Sequence, residues 1–222
     1  MEFLFPLFSI IIINILLSGD NALVIALASR KLAPKQQRKV MIWGSAAAIG
    51  LRVGLTLIAV FILKVPYLQM AGGVLLFWIA IKLMTDQKHD QKVEAKRNLW
   101  DAIKTIIVAD AVMSLDNIIA IIGVAKGDIV LLVAGLMISI PIIIWGSQFI
   151  GVLIQKYPII ITIGSAFLGW TAGEMIIGDR QLLQIVEWHS WMNMVVPSIF
   201  AVFVLIIGNS LSNKRQRVKN KE

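Results

Sequence analysis

A chain of 222 residues that is 58% hydrophobic, arranged in long apolar runs, is built for a bilayer rather than for water. It has no cysteine, which excludes disulfides, thiolate metal sites and cysteine nucleophiles. The net charge of +8 lies between the apolar runs and at the C-terminus, with no soluble aromatic platform beside it, so it reads as membrane orientation and excludes a nucleic-acid surface.

Seven spans are predicted, at about 4–28, 40–63, 67–84, 100–124, 129–153, 157–178 and 192–211. The first follows only Met1 and Glu2, without a basic leader or a small-residue cleavage site, so a retained helix is expected. Arg30, Lys31, Lys35, Arg38 and Lys39 follow span one, and Lys88, Lys92, Lys96 and Arg97 follow span three, diluted by Asp86, Asp90 and Glu94. The tail adds Lys214, Arg215, Arg217, Lys219 and Lys221, whereas the opposite side holds only Lys64, Lys126 and Arg180. Positive charge stays inside, which puts the N-terminus outside and the C-terminus in the cytoplasm of a plasma-membrane protein. Between Asp179 and Trp191, the residues Leu182, Leu183 and Val186 have helical spacing beside Trp188 and Trp191, as in a short interfacial helix. His189 reads there as an interfacial polar residue, not a metal ligand.

The chain carries an internal repeat. Asn14, Ser18, Asp20 and Asn21 in span one have the spacing of Asp110, Ser114, Asp116 and Asn117 in span four. Pro66, Gly72, Leu76, Trp78 and Ala80 match Pro158, Gly164, Leu168, Trp170 and Ala172 at a constant offset. Three spans per half is an odd number, so the second half enters from the opposite side. The expected fold is an all-α membrane protein: two inverted three-helix repeats, at 1–84 and 100–178, plus a seventh helix. A cytoplasmic linker at 85–99, an outer interfacial segment at 179–191 and the seventh helix with its basic tail at 192–222 complete the plan.

Carboxylates and amides inside spans are costly, about 2.5–3.5 kcal/mol for an Asp at a helix centre, and so point to function. Asp110, Ser114 and Asn117 share one helical stripe, and Asn14, Ser18 and Asn21 share its counterpart; Asp116 and Asp20 point away. Each Asp then faces a second neighbour or sits on a locally unwound turn, which Gly19 favours in the first span and Leu115 disfavours in the fourth. Ser18, Ser114 and Asn14 also suit interhelical hydrogen bonding. Arg52, mid-way along span two, is expected to pair with one of the aspartates. Glu174 lies at a depth like that of Asp116. With Asp20, Asp110, Asp116 and Glu174 ionised and Arg52 charged, the site carries about −3, which suits a divalent cation held by oxygen ligands. No span contains histidine or cysteine, so Mg²⁺, Ca²⁺ and Mn²⁺ are favoured over Zn²⁺ or copper. Met113 and Met175 read as packing rather than as soft ligands.

The paired segments Ser18-Gly19-Asp20-Asn21-Ala22-Leu23-Val24 and Ser114-Leu115-Asp116-Asn117-Ile118-Ile119-Ala120 resemble the signature of the TerC family of integral membrane proteins, in its short bacterial subgroup. The resemblance covers about residues 1–211, the span limits carrying their usual tolerance. It implies manganese efflux, with Asp20, Asn21, Asp116 and Asn117 as metal residues; to these the intramembrane polar residues add Asp110 and Glu174, with Asn14, Ser18 and Ser114 in support. Asn14 departs from relatives that carry an acid there. No resident cofactor is expected; Mn²⁺ or another hard divalent cation would be cargo, and the lipid bilayer the surrounding partner. The competing classes are an amino-acid exporter, for which Arg52 would meet the substrate carboxylate, and a non-transporting scaffold that assembles or metallates secreted proteins. No nucleophile–base set or cofactor motif points to an enzyme.

Overall fold

A computed structural model describes residues 19–30, 32–58, 62, 65–85, 99–125, 129–186 and 189–219. Among these residues the chain forms eight helices: α1 (Gly19–Ser29), α2 (Pro34–Leu57), α3 (Leu68–Thr85), α4 (Leu99–Ala125), α5 (Ile129–Lys156), α6 (Ile159–Ile177), α7 (Arg180–Ile185) and α8 (Met192–Lys219). Within them α2, α3, α6 and the Met192–Ser212 stretch of α8 are long and apolar enough to cross a membrane. At 27 and 28 residues, α4 and α5 also have the length. Most of the first expected span and the interior of the 85–99 linker lie outside the described residues.

Local sequence explains some of the helix ends. Pro34 opens α2, where its missing N–H is one that no helix could satisfy. The Gln37 amide reaches back to the Arg30 carbonyl at 2.9 Å and fastens the α1–α2 corner. One boundary needs correction: α2 stops at Leu57, short of the expected 63, as Ile58 takes φ −104° and ψ 11° and its N–H closes on the carbonyls of Gly54 and Thr56. Apolar residues continue past that point, so hydropathy alone sees no end.

The helices form two compact units, each drawing on both halves of the sequence: α1, α2, α4 and α5 in the first, α3, α6, α7 and α8 in the second. The core of the first unit is an apolar cluster that includes Ala22, Ile25, Val40, Met41, Ala48, Ile103 and Ile106. A Cβ at Gly44 would lie 2.9 Å from Ile106 Cδ1, so the glycine lets α2 and α4 close together. Gly146 and Gly151 bring α5 against Ala22 and Met41.

In the second unit glycines bring helix backbones together. A Cβ at Gly173 on α6 would fall 2.6 Å from Pro197 Cα on α8, and one at Gly73 on α3 would fall 2.7 Å from the Ala172 carbonyl oxygen on α6. Backbones this close are what small residues permit between membrane helices. Gly169 meets Val204 while Gly173 meets Pro197, so α6 and α8 run antiparallel. Phe77 stacks edge-on with Phe200, and Met84 meets Gly208, so α3 and α8 run parallel and α3 opposes α6. Asp179 is buried at the corner before α7; it accepts from the N–H groups of Gln181 and Leu182 and, at 3.2 Å, from that of Met70 at the start of α3. One carboxylate thereby satisfies donors at two helix beginnings.

Candidate functional site

The buried face of α2 carries Ser45, Ala48, Arg52 and Thr56, spaced by three, four and four residues and therefore on one stripe. Arg52 is only 1% exposed. Its guanidinium reaches α4, where Nη2 donates to Asp110 Oδ1 at 2.7 Å and Nε donates to Ser114 Oγ at 2.9 Å. The Ser114 hydroxyl donates in turn to Asp110 Oδ2 at 3.3 Å. The three side chains close a ring in which both carboxylate oxygens are engaged. Asp110 and Ser114 can join it together because they lie four residues apart on a continuous helix. Thr56 bonds the Arg52 carbonyl at 2.7 Å, one turn further along α2.

Asp20 and Asn21 come from α1. Asp20 is half-buried, accepts from the Asn21 N–H at 2.7 Å, and lies close enough to Arg52 and Asp110 for both charges to act on it. Asn21 is 4% exposed, yet among the described residues neither Oδ1 nor Nδ2 has a hydrogen-bond partner. The buried Ser45 hydroxyl is likewise unpartnered. A buried amide left unbonded on both ends is costly, and natural proteins seldom keep one without a use.

The sequence-predicted residues thus divide. The structure brings Asp20, Asn21, Arg52, Asp110 and Ser114 together in the first unit. It places Glu174 in the second unit, exposed on α6. Asn14 and Ser18 lie outside the described residues. Asp116 and Asn117 sit on α4, and their side chains also lie outside the described set. The α4 backbone stays helical through Ser114-Leu115-Asp116-Asn117, which overturns an unwound turn at that point. Residues 19–29 are helical as well; the turn that precedes Gly19 lies outside the described residues. Met113 and Met175 are buried in separate units, and His189 is exposed with its ring 6.4 Å from that of Trp191. Among the described residues no group of three or more His, Cys, Asp or Glu could hold a metal ion. Asp110 serves here as the counter-charge of Arg52, and Asp20 is the further carboxylate of the cluster among the described residues.

Sequence reasoning missed Ser45 and Asp179. Ser45 could have been found by its spacing from Arg52, two turns along one face. Asp179 has a readable cap position before Arg180-Gln181-Leu182, but its bond to Met70 spans 109 residues and leaves no local trace.

A family model described as "Integral membrane protein TerC family" matches residues 1–217. The membrane protein YjbE of Bacillus subtilis (strain 168) is 40% identical over 205 residues, covering 92% of this chain and 94% of its own. YceF of the same organism is 26% identical over 221 residues, covering 95% of this chain and 83% of the relative. The UPF0053 inner membrane protein YoaE of Escherichia coli (strain K12) is 23% identical over 194 residues, covering 76% and 37%. No solved structure matches.

Proposed function

The chain belongs to the TerC family of integral membrane proteins, and from that premise we propose that it exports a hard divalent cation, Mn²⁺ first, by alternating access between inverted three-helix repeats. The observation that carries the reading is the cluster on α1, α2 and α4: a carboxylate at Asp20 beside a buried Asn21 amide whose two polar ends are unbonded among the described residues. Carboxylate and amide oxygens suit a hard cation, and the chain has no cysteine to offer a softer one. Asp116 and Asn117 would supply the equivalent pair from the second repeat. Manganese itself rests on the family resemblance, since oxygen ligands alone do not choose among Mg²⁺, Ca²⁺ and Mn²⁺. The antiparallel course of α3 and α6 supports inverted repeats, because repeat mates in such a plan must run in opposite directions.

An amino-acid exporter is less well supported. It would need a cation for the substrate carboxylate, and Arg52 is engaged with a carboxylate of the protein's own. The deciding experiment is Mn²⁺ accumulation in vesicles containing only this protein. Uptake that saturates and is abolished by Asp20→Asn is expected; vesicles no more permeable than protein-free ones would refute transport.

A further inference from the structure

We propose that Arg52 is a tethered stand-in for the transported cation: its guanidinium offsets part of the negative charge of the site carboxylates whenever cargo is absent, and lets the unloaded protein return across the membrane. This rests on the transport reading above. The geometry behind it is the closed ring of Arg52, Asp110 and Ser114, in which the guanidinium meets Asp110 Oδ1 at 2.7 Å, with Asp20 in electrostatic reach. A purely structural pair would suffice anywhere along α2 and α4. This one occupies the stripe of α4 that also presents the first two polar residues of the second repeat's signature, Asp110 and Ser114.

Charge balance supplies the mechanism. An exporter must reorient both loaded and unloaded, and uncompensated carboxylates in a low-dielectric interior resist movement in the unloaded state. A divalent cation entering beside Asp20 repels the guanidinium and weakens its hold on Asp110, so cargo and Arg52 compete for the same negative charge. The repeat is asymmetric in the sense this requires. Position 14, the counterpart of Asp110, is a neutral Asn, so the first half has no second carboxylate there needing a counter-ion. A single arginine then balances the additional acid of the second half.

The test uses full-length protein in proteoliposomes, with Mn²⁺ as the probe and two modes compared. Net export requires return without cargo; Mn²⁺–Mn²⁺ exchange does not. Arg52→Gln is expected to cut net export by about tenfold or more while exchange stays within about twofold of wild type, since the unloaded variant carries the largest uncompensated charge. It is also expected to bind Mn²⁺ more tightly, measured as loss of the free-ion paramagnetic resonance signal. Arg52→Lys keeps the charge and should keep both modes. If Arg52→Gln alone is too unstable to purify, Arg52→Gln combined with Asp110→Asn restores a neutral hydrogen-bonding pair, and the ratio of net export to exchange should stay near the wild-type value. Parallel loss of both modes in Arg52→Gln, weaker Mn²⁺ binding, or a depressed ratio in the double variant would overturn the stand-in role and leave transport standing. A wild-type protein that moves no Mn²⁺ in either mode would overturn transport, and the stand-in role with it.

Discussion

Removing the Asp110 carboxylate is the sharpest stability test the structure offers. Its partner is nearly inaccessible: side-chain exposure is 2% for Arg52 and 9% for Asp110, with the charged atoms 2.7 Å apart. Asp110→Ala leaves the guanidinium buried without its carboxylate, and breaking such a pair from one side costs about 3–5 kcal/mol. For a chain of this length each kcal/mol moves the melting temperature by about 2–4 °C, so a fall of about 6–20 °C is expected. Replacing both partners with apolar residues of similar volume, Arg52→Met with Asp110→Leu, removes the penalty along with the attraction and should be near neutral. The assay is thermal unfolding in detergent, run as a double-mutant cycle with each single variant. A double variant as unstable as the sum of its singles, or an Asp110→Ala shift under about 2 °C, would refute a tightly coupled buried pair.

Three further expectations concern packing and capping, each read by the same unfolding assay. Gly173→Leu places a side chain where a Cβ would already sit 2.6 Å from Pro197 Cα, and should cost about 1–3 kcal/mol or more as α6 and α8 separate. Gly50→Ala meets nothing within 4 Å and should be neutral or stabilising by up to about 1 kcal/mol; a large loss there would mean that the exposed face of α2 is covered in the native membrane. Asp179→Ala removes the α7 cap, at about 0.5–2 kcal/mol. It also leaves the Met70 N–H without its acceptor, at about 1–3 kcal/mol more if that group stays dry. Asp179→Asn should lie between wild type and Ala.

Helix content and the polar heart of the site were legible because each leaves a local mark. Apolar runs announce helices, and a four-residue spacing puts Asp110 and Ser114 on one stripe. Arg52 was readable as a cation too deep for the membrane surface. Its choice of partner was not, since Asp20, Asp110 and Asp116 all sat on candidate helices and the pair that forms is 58 residues apart. The grouping of helices into two units was equally hidden, because contacts such as Gly44 with Ile106 or Gly73 with Ala172 depend on the tertiary arrangement. Membrane helices add their own difficulty: α3 and α6 spread apolar residues around their whole circumference, so hydropathy does not distinguish the face toward lipid from the face toward a neighbour. Small residues carry that information instead, and Gly73 and Gly173 mark the close approaches.

The central claim is that the Asp20–Asn21 cluster moves a hard divalent cation, and Mn²⁺ flux into proteoliposomes containing wild-type protein or Asp20→Asn tests it most directly. Asp→Asn keeps size and hydrogen-bonding capacity while removing one charge, so the variant should fold and melt like wild type. The account predicts saturable Mn²⁺ uptake by wild type, competition from other hard divalent cations, and loss of at least about tenfold in Asp20→Asn, as expected for a carboxylate that meets the ion itself. Equal uptake by both proteins at equal abundance would contradict it.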